Sequence, residues 1–256
     1  MSTDSQFELK NGRKLYIFPI SDLHLGHPAC NLEYWKHWEQ VFKTTRSRNK
    51  IIYLLGDLID VQSLRIGAWD FDLALDEQIL RLKHLLKPYR KYVRFMVSGN
   101  HPNRTKKDYN LDIGKIIASD LSIPYNSTDF FDHILVNGEP FTVYGKHGTR
   151  FSKSKRLAQR GFIQDMNSVN ANLCMQGHNH YGCFFDDVIR TNTEEIQRRY
   201  FTFTGHFLNY FKSYARTKGM TVSPECFLRL NINPNLKVGA DEYHIDQERP
   251  DLINKS

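Results

Sequence analysis

The sequence predicts a mixed α/β fold in which parallel strands deliver polar loops to one edge of a sheet. Two short apolar runs, Leu15–Ile20 and 51–55, end just before polar residues that include Asp22 and Asp57. The stretch between the two runs, 31–45, carries apolar residues at helical spacing. A strand, a helix and a second strand in this order form a βαβ unit, which indicates a parallel sheet.

The rest of the chain continues these patterns. An apolar helical stripe over 73–86 ends before Pro88, and Asn137-Gly138 predicts a hairpin turn. Two more helices are predicted over 111–118 and 152–170. Strands are predicted over 92–97, 129–136, 141–145, 173–176, 181–188, 196–204 and 225–232. We expect a single domain over 1–245 and a disordered tail over 246–256.

Composition and hydropathy limit the class of protein. Of the 256 residues, 40% are hydrophobic and 13% aromatic, which is enough to bury a substantial core. No apolar run approaches the roughly 20 residues that span a bilayer, and the polar segment 1–14 lacks the apolar stretch of a signal peptide. The four cysteines are not closely spaced, which favours reduced thiols. We therefore expect a cytoplasmic protein that makes no membrane contact.

The chain is basic, with a net charge of +7 and a pI near 9.1. Positive charge is concentrated just after His101 and just after His147, where it would attract an anionic partner such as the phosphate backbone of DNA or RNA. The basic residues at these two places are Arg104, Lys106, Lys107, Arg150, Lys153, Lys155, Arg156 and Arg160.

Five polar loops carry side chains that commonly bind metal ions. Asp22 and His24 stand at i and i+2, as do His178 and His180, so each pair can converge on one small volume after a strand. The set has no cysteine, and mixed nitrogen and oxygen ligands suit a first-row divalent ion such as Mn, Fe or Zn. The seven candidate ligands are Asp22, His24, Asp57, Asn100, His147, His178 and His180.

The loops read Asp-x-His, Gly-Asp, Gly-Asn-His, His-Gly and Gly-His-x-His, in that order between Asp22 and His180. This pattern resembles the calcineurin-like metallophosphoesterase superfamily. The resemblance implies a four-layer α/β/β/α sandwich of two mixed sheets flanked by helices. The opening Ser-Asp-Leu-His-Leu-Gly is similar to that of bacterial and phage phosphoesterases, including the nuclease branch related to Mre11. A bacterial or phage-infected host cell is therefore expected.

The resemblance also implies two divalent ions, with Mn²⁺ expected and Fe²⁺, Zn²⁺ and Ni²⁺ as alternatives. Asp57 is expected to bridge the ions, because one carboxylate can hold two cations about 3.5–4 Å apart in two-metal hydrolysis. A hydroxide shared by the ions would attack phosphorus in line, and His101 would assist the leaving oxygen. By resemblance, one ion takes Asp22, His24 and His180, and the other takes Asn100, His147 and His178.

Residue 102 departs from the superfamily pattern. An Asp or Glu usually follows the histidine of the Gly-Asn-His motif, but here Pro102 follows His101. The carboxylate that would orient His101 therefore does not carry over. Asp60, three residues after Asp57, is the expected supporting carboxylate near the site. The expected substrate contacts are Arg104, His27 and Arg150.

The expected function is hydrolysis of phosphodiester bonds in nucleic acid. The sequences at 56–61 and 99–102 differ from those of protein Ser/Thr phosphatases, which disfavours that branch. The chain lacks the long additional DNA-binding region of the Mre11-related nucleases, so a nucleotide or cyclic-nucleotide phosphodiesterase or phosphatase is the alternative. A nucleic-acid-binding protein with a structural metal site is the alternative from another class. The sequence leaves the oligomeric state open.

Overall fold

The computed structural model describes residues 7–9, 14–61, 72–136, 138–150, 152–190, 196–212, 225–233 and 244–248. Within these ranges, two mixed β-sheets pack face to face and helices cover their outer faces. The predicted fold class, two mixed sheets flanked by helices, is confirmed.

The elements alternate in the way that the apolar patterns indicate. The strands of the described residues are β1 (Phe7–Leu9), β2 (Leu15–Ile20), β3 (Lys50–Leu55), β4 (Val93–Val97), β5 (Tyr125–Asn126), β6 (Asp129–Val136), β7 (Glu139–Lys146), β8 (Leu173–Gln176), β9 (Gly182–Arg190), β10 (Ile196–His206), β11 (Cys226–Phe227), β12 (Arg229–Asn233) and β13 (His244–Glu248). The α-helices of the same ranges are α1 (Leu32–Thr44), α2 (Leu75–Leu86), α3 (Pro102–Tyr109), α4 (Ile113–Leu121) and α5 (Lys155–Asp165). Short 3₁₀ helices cover Lys87–Tyr92 and Tyr210–Lys212.

The first sheet, sheet I, has six strands in the order β13-β12-β2-β3-β4-β5. β2, β3, β4 and β5 run parallel to their neighbours, and the β2-α1-β3 segment forms the predicted βαβ unit. β12 is antiparallel to both β2 and β13. The second sheet, sheet II, follows the order β1-β6-β7-β8-β10-β11, and β9 also pairs with β10. Its centre is parallel, because β8 runs parallel to β7 and to β10.

Aromatic side chains fill the space between the sheets. Phe130 of sheet II lies between Tyr53 and Phe95 of sheet I, with ring centroids 5.0 and 4.9 Å away and nearly parallel planes. Tyr53, Phe141 and Ile134 have no exposed side-chain surface. Full burial of each such side chain contributes about 1.5–3 kcal/mol, so this layer holds the sheets together.

A buried polar group also joins the sheets. Asp132 on β6 accepts hydrogen bonds from Tyr53 Oη at 2.7 Å and from Arg94 Nε at 2.9 Å. Burial and the neighbouring Asp132 raise the pKa of Tyr53 well above its ordinary value, so its hydroxyl stays a neutral donor. Because an unpaired buried carboxylate is costly, these bonds favour one alignment of the two sheets.

Helices cover the outer faces of both sheets. Trp35, Trp38 and Phe42 on α1 pack into an apolar cluster under sheet I, together with residues of α2 and α4. Asn31 caps α1, since its side-chain oxygen accepts from the backbone N–H of Tyr34 at 3.1 Å. Phe162 on α5 packs in a separate cluster against the outer face of sheet II.

The structure differs from the sequence-based predictions in several places. α5 covers 155–165 rather than 152–170, and the predicted strand 225–232 is divided between β11 and β12, which belong to different sheets. α3 was not predicted. Residues 246–248 lie in β13, while 249–256 fall outside the described residues, so the extent of the domain stays a prediction. None of the helices in the described ranges is both long and apolar enough to cross a membrane.

Candidate metal centre

Every candidate ligand follows the carboxyl end of a strand. β2, β3 and β4 are parallel neighbours in sheet I, and β7 and β8 are parallel neighbours in sheet II. Loops at this end of parallel strands are free to converge. The ligands are Asp22 and His24 after β2, Asp57 after β3, Asn100 after β4, His147 after β7, and His178 and His180 after β8.

Most of the ligand loops have a strained backbone. Five of the candidate ligands have a positive φ, which non-glycine residues rarely adopt. In the described ranges, the non-glycine residues with positive φ outside the ligand set are Asn110 and Ser122, which end α3 and α4. A non-glycine residue in this region costs about 1–2 kcal/mol, and such strain concentrates at functional sites. φ lies between 47° and 68° at Asp22, His24, Asp57, His178 and His180.

The two oxygens of Asp22 have different surroundings. Oδ2 accepts the backbone N–H of His178 at 2.9 Å and is in contact with the Ser21 hydroxyl. Oδ1 lies 3.2 Å from His180 Nε2 and 3.6 Å from His24 Nε2. Both Asp22 Oδ1 and His24 Nε2 are buried without a hydrogen-bond partner. A cation between them would satisfy both atoms, so these residues fit a metal ion.

A second group surrounds His147. Its Nδ1 lies 2.7 Å from the carbonyl oxygen of Leu55, so Nδ1–H is the donor there and Nε2 is available to bind a metal. Nε2 lies 3.0 Å from both Asp57 Oδ2 and Asn100 Oδ1. A nitrogen lone pair that faces two oxygens repels them unless a proton or a cation lies between, so this arrangement also fits a metal ion.

The candidate ligands meet in overlapping groups. In each group, one ligand atom per residue lies within 4.8 Å of the others. Asp57 and His24 each belong to two groups, so the groups form one continuous site. The groups in the described residues are Asp22 with His24 and His180, His24 with Asp57 and His101, and Asp57 with His147 and His178.

Asp60 supplies the carboxylate that residue 102 lacks. Asp60 Oδ1 is in contact with His101 Nδ1 and lies 3.3 Å from His24 Nδ1. The side chain of Asp60 thus supports a candidate ligand and the candidate catalytic histidine together. Its position three residues after Asp57 was the only sequence signal for this contact.

Pro102 starts α3 instead of providing a carboxylate. Proline suits the first position of a helix, because its fixed φ is helical and its missing N–H needs no partner there. Arg104, three residues after His101, therefore turns back toward it, and Arg104 Nη2 lies 3.2 Å from His101 Nε2. Arg104 thus lies beside His101, and its contact with substrate stays a prediction.

Mutual electrostatics govern ionisation in the site. Burial acts to raise the pKa of Asp22, but His180 and His24 hold it well below its ordinary value. Asp57 is likewise held low by His147, against the effect of burial. Burial acts to lower the pKa of His24, but the neighbouring carboxylates of Asp22 and Asp60 raise it to about 10.

The pKa shifts of His147, His178 and His101 differ in sign. Burial opposes the charge on His147, yet Asp57 raises its pKa to about 9. Burial and the neighbouring His147 lower the pKa of His178 to about 4. Burial also lowers the pKa of His101, against the opposing effect of Asp60. His178 and His101 are therefore neutral at pH 7, in the state that accepts a proton or binds a metal.

The other two predicted substrate contacts lie in different settings. His27 Nδ1 accepts the backbone N–H of Ala29 at 2.9 Å, and burial lowers the pKa of His27. Asp60, His24 and His101 are among the groups that influence that pKa, so His27 lies beside the site. Arg150 is 80% exposed and lies 3.5 Å from Asp165 Oδ1, so its side chain lies at the surface.

Several residues that support the ligands were not predicted. The Ser21 hydroxyl contacts Thr204 Oγ1 as well as Asp22, so the end of β10 supports the first ligand loop. The ring of His206 stacks on that of His180, with centroids 5.2 Å apart and planes at 23°. Thr204 and His206 lie far along the chain from the motifs, which is why no sequence spacing indicated them.

Asn179, between two ligands, ties the site to the basic segment 150–155. Its Oδ1 accepts the backbone N–H of Ser152 at 3.1 Å, and its Nδ2 donates to the carbonyl oxygen of Arg150 at 3.3 Å. The Tyr181 hydroxyl donates to Ser152 O at 2.9 Å. The loop that carries His178 and His180 therefore also positions the backbone of Arg150 and Ser152, where the basic residues after His147 begin.

Similarity to known proteins is found in the structure and not in the sequence. No family model and no curated protein matches the sequence. Similar solved structures include a conserved protein from Streptococcus pneumoniae described as a predicted phosphoesterase, with 14% identity and a TM-score of 0.44 over 94% of this chain and 92% of that one. Vacuolar protein sorting 29 from Cryptosporidium parvum has 12% identity and a TM-score of 0.43 over 93% and 99%. A protein serine/threonine phosphatase from Saccharomyces cerevisiae has 16% identity and a TM-score of 0.37 over 96% and 85%.

Gly99 leaves no room for a side chain beside Asp57. A Cβ at Gly99 would overlap Asp57 Oδ1, whereas a Cβ at Gly161 on α5 would meet nothing within 4 Å. We expect Gly99→Ala to displace the Asp57 carboxylate and to weaken binding of Mn²⁺ or Zn²⁺ by about ten-fold or more. Gly161→Ala should bind with unchanged affinity in the same calorimetric titration. Equal affinities for the two variants would contradict Asp57 as a ligand.

Metal binding should release protons. Before metal is added, His24 and His147, with pKa values of about 10 and 9, are protonated at pH 7, and a protonated imidazole cannot bind a metal. Affinity should therefore rise as pH increases from 6 to 9, with on the order of two protons released at pH 7. Calorimetry in two buffers of different ionisation enthalpy measures this number. A result of zero would mean that both imidazoles are already neutral.

Proposed function

We propose that this protein is a metal-dependent phosphoesterase of the calcineurin-like type. The observation that carries the proposal is the convergence of two groups of ligands, Asp22 with His24 and His180 and Asp57 with His147 and His178. Within each group the ligand atoms lie within 4.8 Å of one another, and a third group of His24, Asp57 and His101 connects the two. The buried atoms Asp22 Oδ1 and His24 Nε2 have no hydrogen-bond partner. This oxygen and nitrogen set suits two divalent ions, and we propose Mn²⁺ as the native metal.

The side chains would divide into two sets of ligands. Asp22, His24 and His180 form one set, and Asn100, His147 and His178 form the other. We propose that Asp57 bridges the two sets, since it belongs with His24 in one group and with His147 in another. When bound, the two ions supply activation of water and stabilisation of the charge that develops on phosphoryl oxygens.

We propose that His101 assists the leaving oxygen of the substrate. Its Nε2 lies 4.0 Å from Asp57 Oδ2, and its ring lies 4.6 Å from that of His24, so it reaches the same volume as the ligands. Its backbone N–H donates to Asp57 Oδ1 at 2.8 Å, and Asp60 contacts its other ring nitrogen. His101 is thereby held beside the metal site without being needed in either ligand set.

We propose nucleic acid as the substrate and a nuclease as the activity. Lys153, Lys155, Arg156 and Arg160 are all exposed and follow closely after His147. Together with Arg150, they form a basic rim that Asn179 connects to the metal-ligand loop. A phosphate backbone that follows the rim would be led to the site. We further propose that the protein acts in the cytoplasm.

A nucleotide or cyclic-nucleotide phosphodiesterase or phosphatase is a second candidate, favoured by the depth of the site. The side chains of Asp22, His24 and Asp57 are at most 2% exposed, while those of His101 and His180 are 14% and 12% exposed. A small diester can reach so deep a site more easily than a bulky polymer. The two candidates differ in whether the basic rim contributes to turnover.

The first experiment is a hydrolysis assay with Mn²⁺ on four substrates: bis-p-nitrophenyl phosphate, p-nitrophenyl phosphate, a cyclic nucleotide and single-stranded DNA. We expect the wild type to cleave the diesters and DNA. Asp57→Asn should lower this activity by at least about 10³-fold, because the variant removes a charge between the two ligand sets. Cleavage of small esters alone would favour the second candidate. Metal binding with DNA binding but no turnover on any substrate would favour a nucleic-acid-binding protein with a structural metal.

The second experiment removes charge from the rim. The triple variant Arg150→Gln, Lys153→Gln and Arg156→Gln should lower kcat/KM on DNA by about ten-fold at low salt. The slope of log kcat/KM against log salt concentration should become less steep by about one for each phosphate contact that is lost. Turnover of bis-p-nitrophenyl phosphate should stay within about two-fold, because the rim lies outside the ligand set. The matched control Lys43→Gln, Lys87→Gln and Arg90→Gln removes the same charge from exposed residues under sheet I. Equal losses on both substrates would exclude a polymer-specific rim.

A further inference from the structure

We propose that Arg104 is the positioning residue for His101, completing a line Asp60–His101–Arg104 that holds the imidazole at both ring nitrogens. This inference rests on the proposed function, because it assigns a role to Arg104 through a histidine that acts on the substrate. It also differs from the expectation that Arg104 contacts phosphate directly.

The guanidinium of Arg104 is already engaged on two sides. Nη1 donates to the backbone carbonyl oxygen of Val61 at 2.7 Å, and Nη2 lies 3.2 Å from His101 Nε2. Val61 directly follows Asp60, so Arg104 links the loop after β3 to the start of α3. Two anchors fix the plane of the guanidinium, which a single contact would leave free to rotate.

These contacts determine where the proton of His101 lies. A guanidinium donates and never accepts, so His101 Nε2 must be the acceptor in its contact with Arg104. The opposite nitrogen, Nδ1, is in contact with the carboxylate of Asp60, which accepts and does not donate. The network therefore assigns the neutral tautomer with hydrogen on Nδ1.

The helix start explains why Arg104 reaches His101. Residues at i and i+3 face each other on a helix, and His101 precedes the first residue of α3. The Ser98 hydroxyl donates to Asn103 Oδ1 at 3.0 Å, and the backbone N–H of Asn103 donates to Gly99 O at 3.2 Å. The first turn of α3 is thus fastened to the loop that carries Asn100 and His101.

The assignment has a consequence for the proposed reaction. In the resting protein, His101 presents a lone pair at Nε2, and that lone pair is occupied by Arg104. Before His101 can donate a proton to a leaving oxygen, its Nε2 must therefore separate from Arg104 and take up a proton from solvent.

The test combines spectroscopy with kinetics. We would record side-chain ¹⁵N spectra of the protein loaded with Zn²⁺, which is diamagnetic, and identify His101 by the signals lost in His101→Gln. The wild type should show a protonated Nδ1 and an unprotonated Nε2. Asp60 should keep Nδ1 protonated in Arg104→Met, whereas the Nε2 signal should move toward that of a nitrogen without a hydrogen bond. Arg104→Lys should restore part of the wild-type Nε2 signal, and the control Lys107→Met, an exposed residue on the same helix, should leave it unchanged.

The kinetic arm is a double-mutant cycle on bis-p-nitrophenyl phosphate. Arg104→Met should lower kcat by about ten-fold, and it should cause no further loss in a His101→Gln background. Additive losses, or a wild-type ¹⁵N pattern in Arg104→Met, would overturn the proposal. If the wild type cleaves no phosphoester, the proposed function fails, while the spectra still decide whether Arg104 donates a hydrogen bond to His101 Nε2.

Discussion

The carboxylate of Asp22 is the contact on which the site depends, because it joins the first ligand loop to the last. His178 donates its backbone N–H to Asp22 Oδ2 across 156 residues of chain. The Ser21 hydroxyl contacts the same carboxylate and is itself contacted by Thr204 near the end of β10. With Oδ2 engaged, Oδ1 is directed at His24 and His180. One side chain thus brings the ends of strands from both sheets to a common point, and the remaining ligands assemble around it.

The site concentrates charge in a place where charge is costly. Asp22, Asp57 and Asp60 are all buried, and surrounding imidazoles hold all three carboxyl pKa values below their ordinary range. Buried charges need partners, and protonated histidines provide them before a metal binds. Divalent cations would replace those protons with a larger and better-directed charge. In the described residues, a cluster of apolar side chains fills much of the layer between the sheets, and the hydrogen-bonded set around Asp132 lies within that layer.

Much of this arrangement could be predicted from local patterns. Leu15–Ile20 and Leu173–Gln176 are apolar runs that end at ligand loops, and both are strands with the predicted bounds. Contacts between distant segments could not be predicted in the same way. The support of Asp22 by Thr204 depends on how β10 lies against β2, and the contact of Asp60 with His101 depends on the start of α3. Pro102 indicated only a departure from a pattern, since one proline cannot tell whether a helix or a loop follows.

The left-handed backbone at the ligands bears on how this chain can change. Asparagine tolerates positive φ better than most residues, so Asp→Asn at position 22 or 57 removes a charge while leaving the loop conformation accessible. Most other side chains at these positions would add strain to the loss of a ligand. A form of the protein that keeps its shape but has lost its chemistry is therefore separated from this one by a single, structurally mild substitution. The fold and the chemistry can be inherited independently.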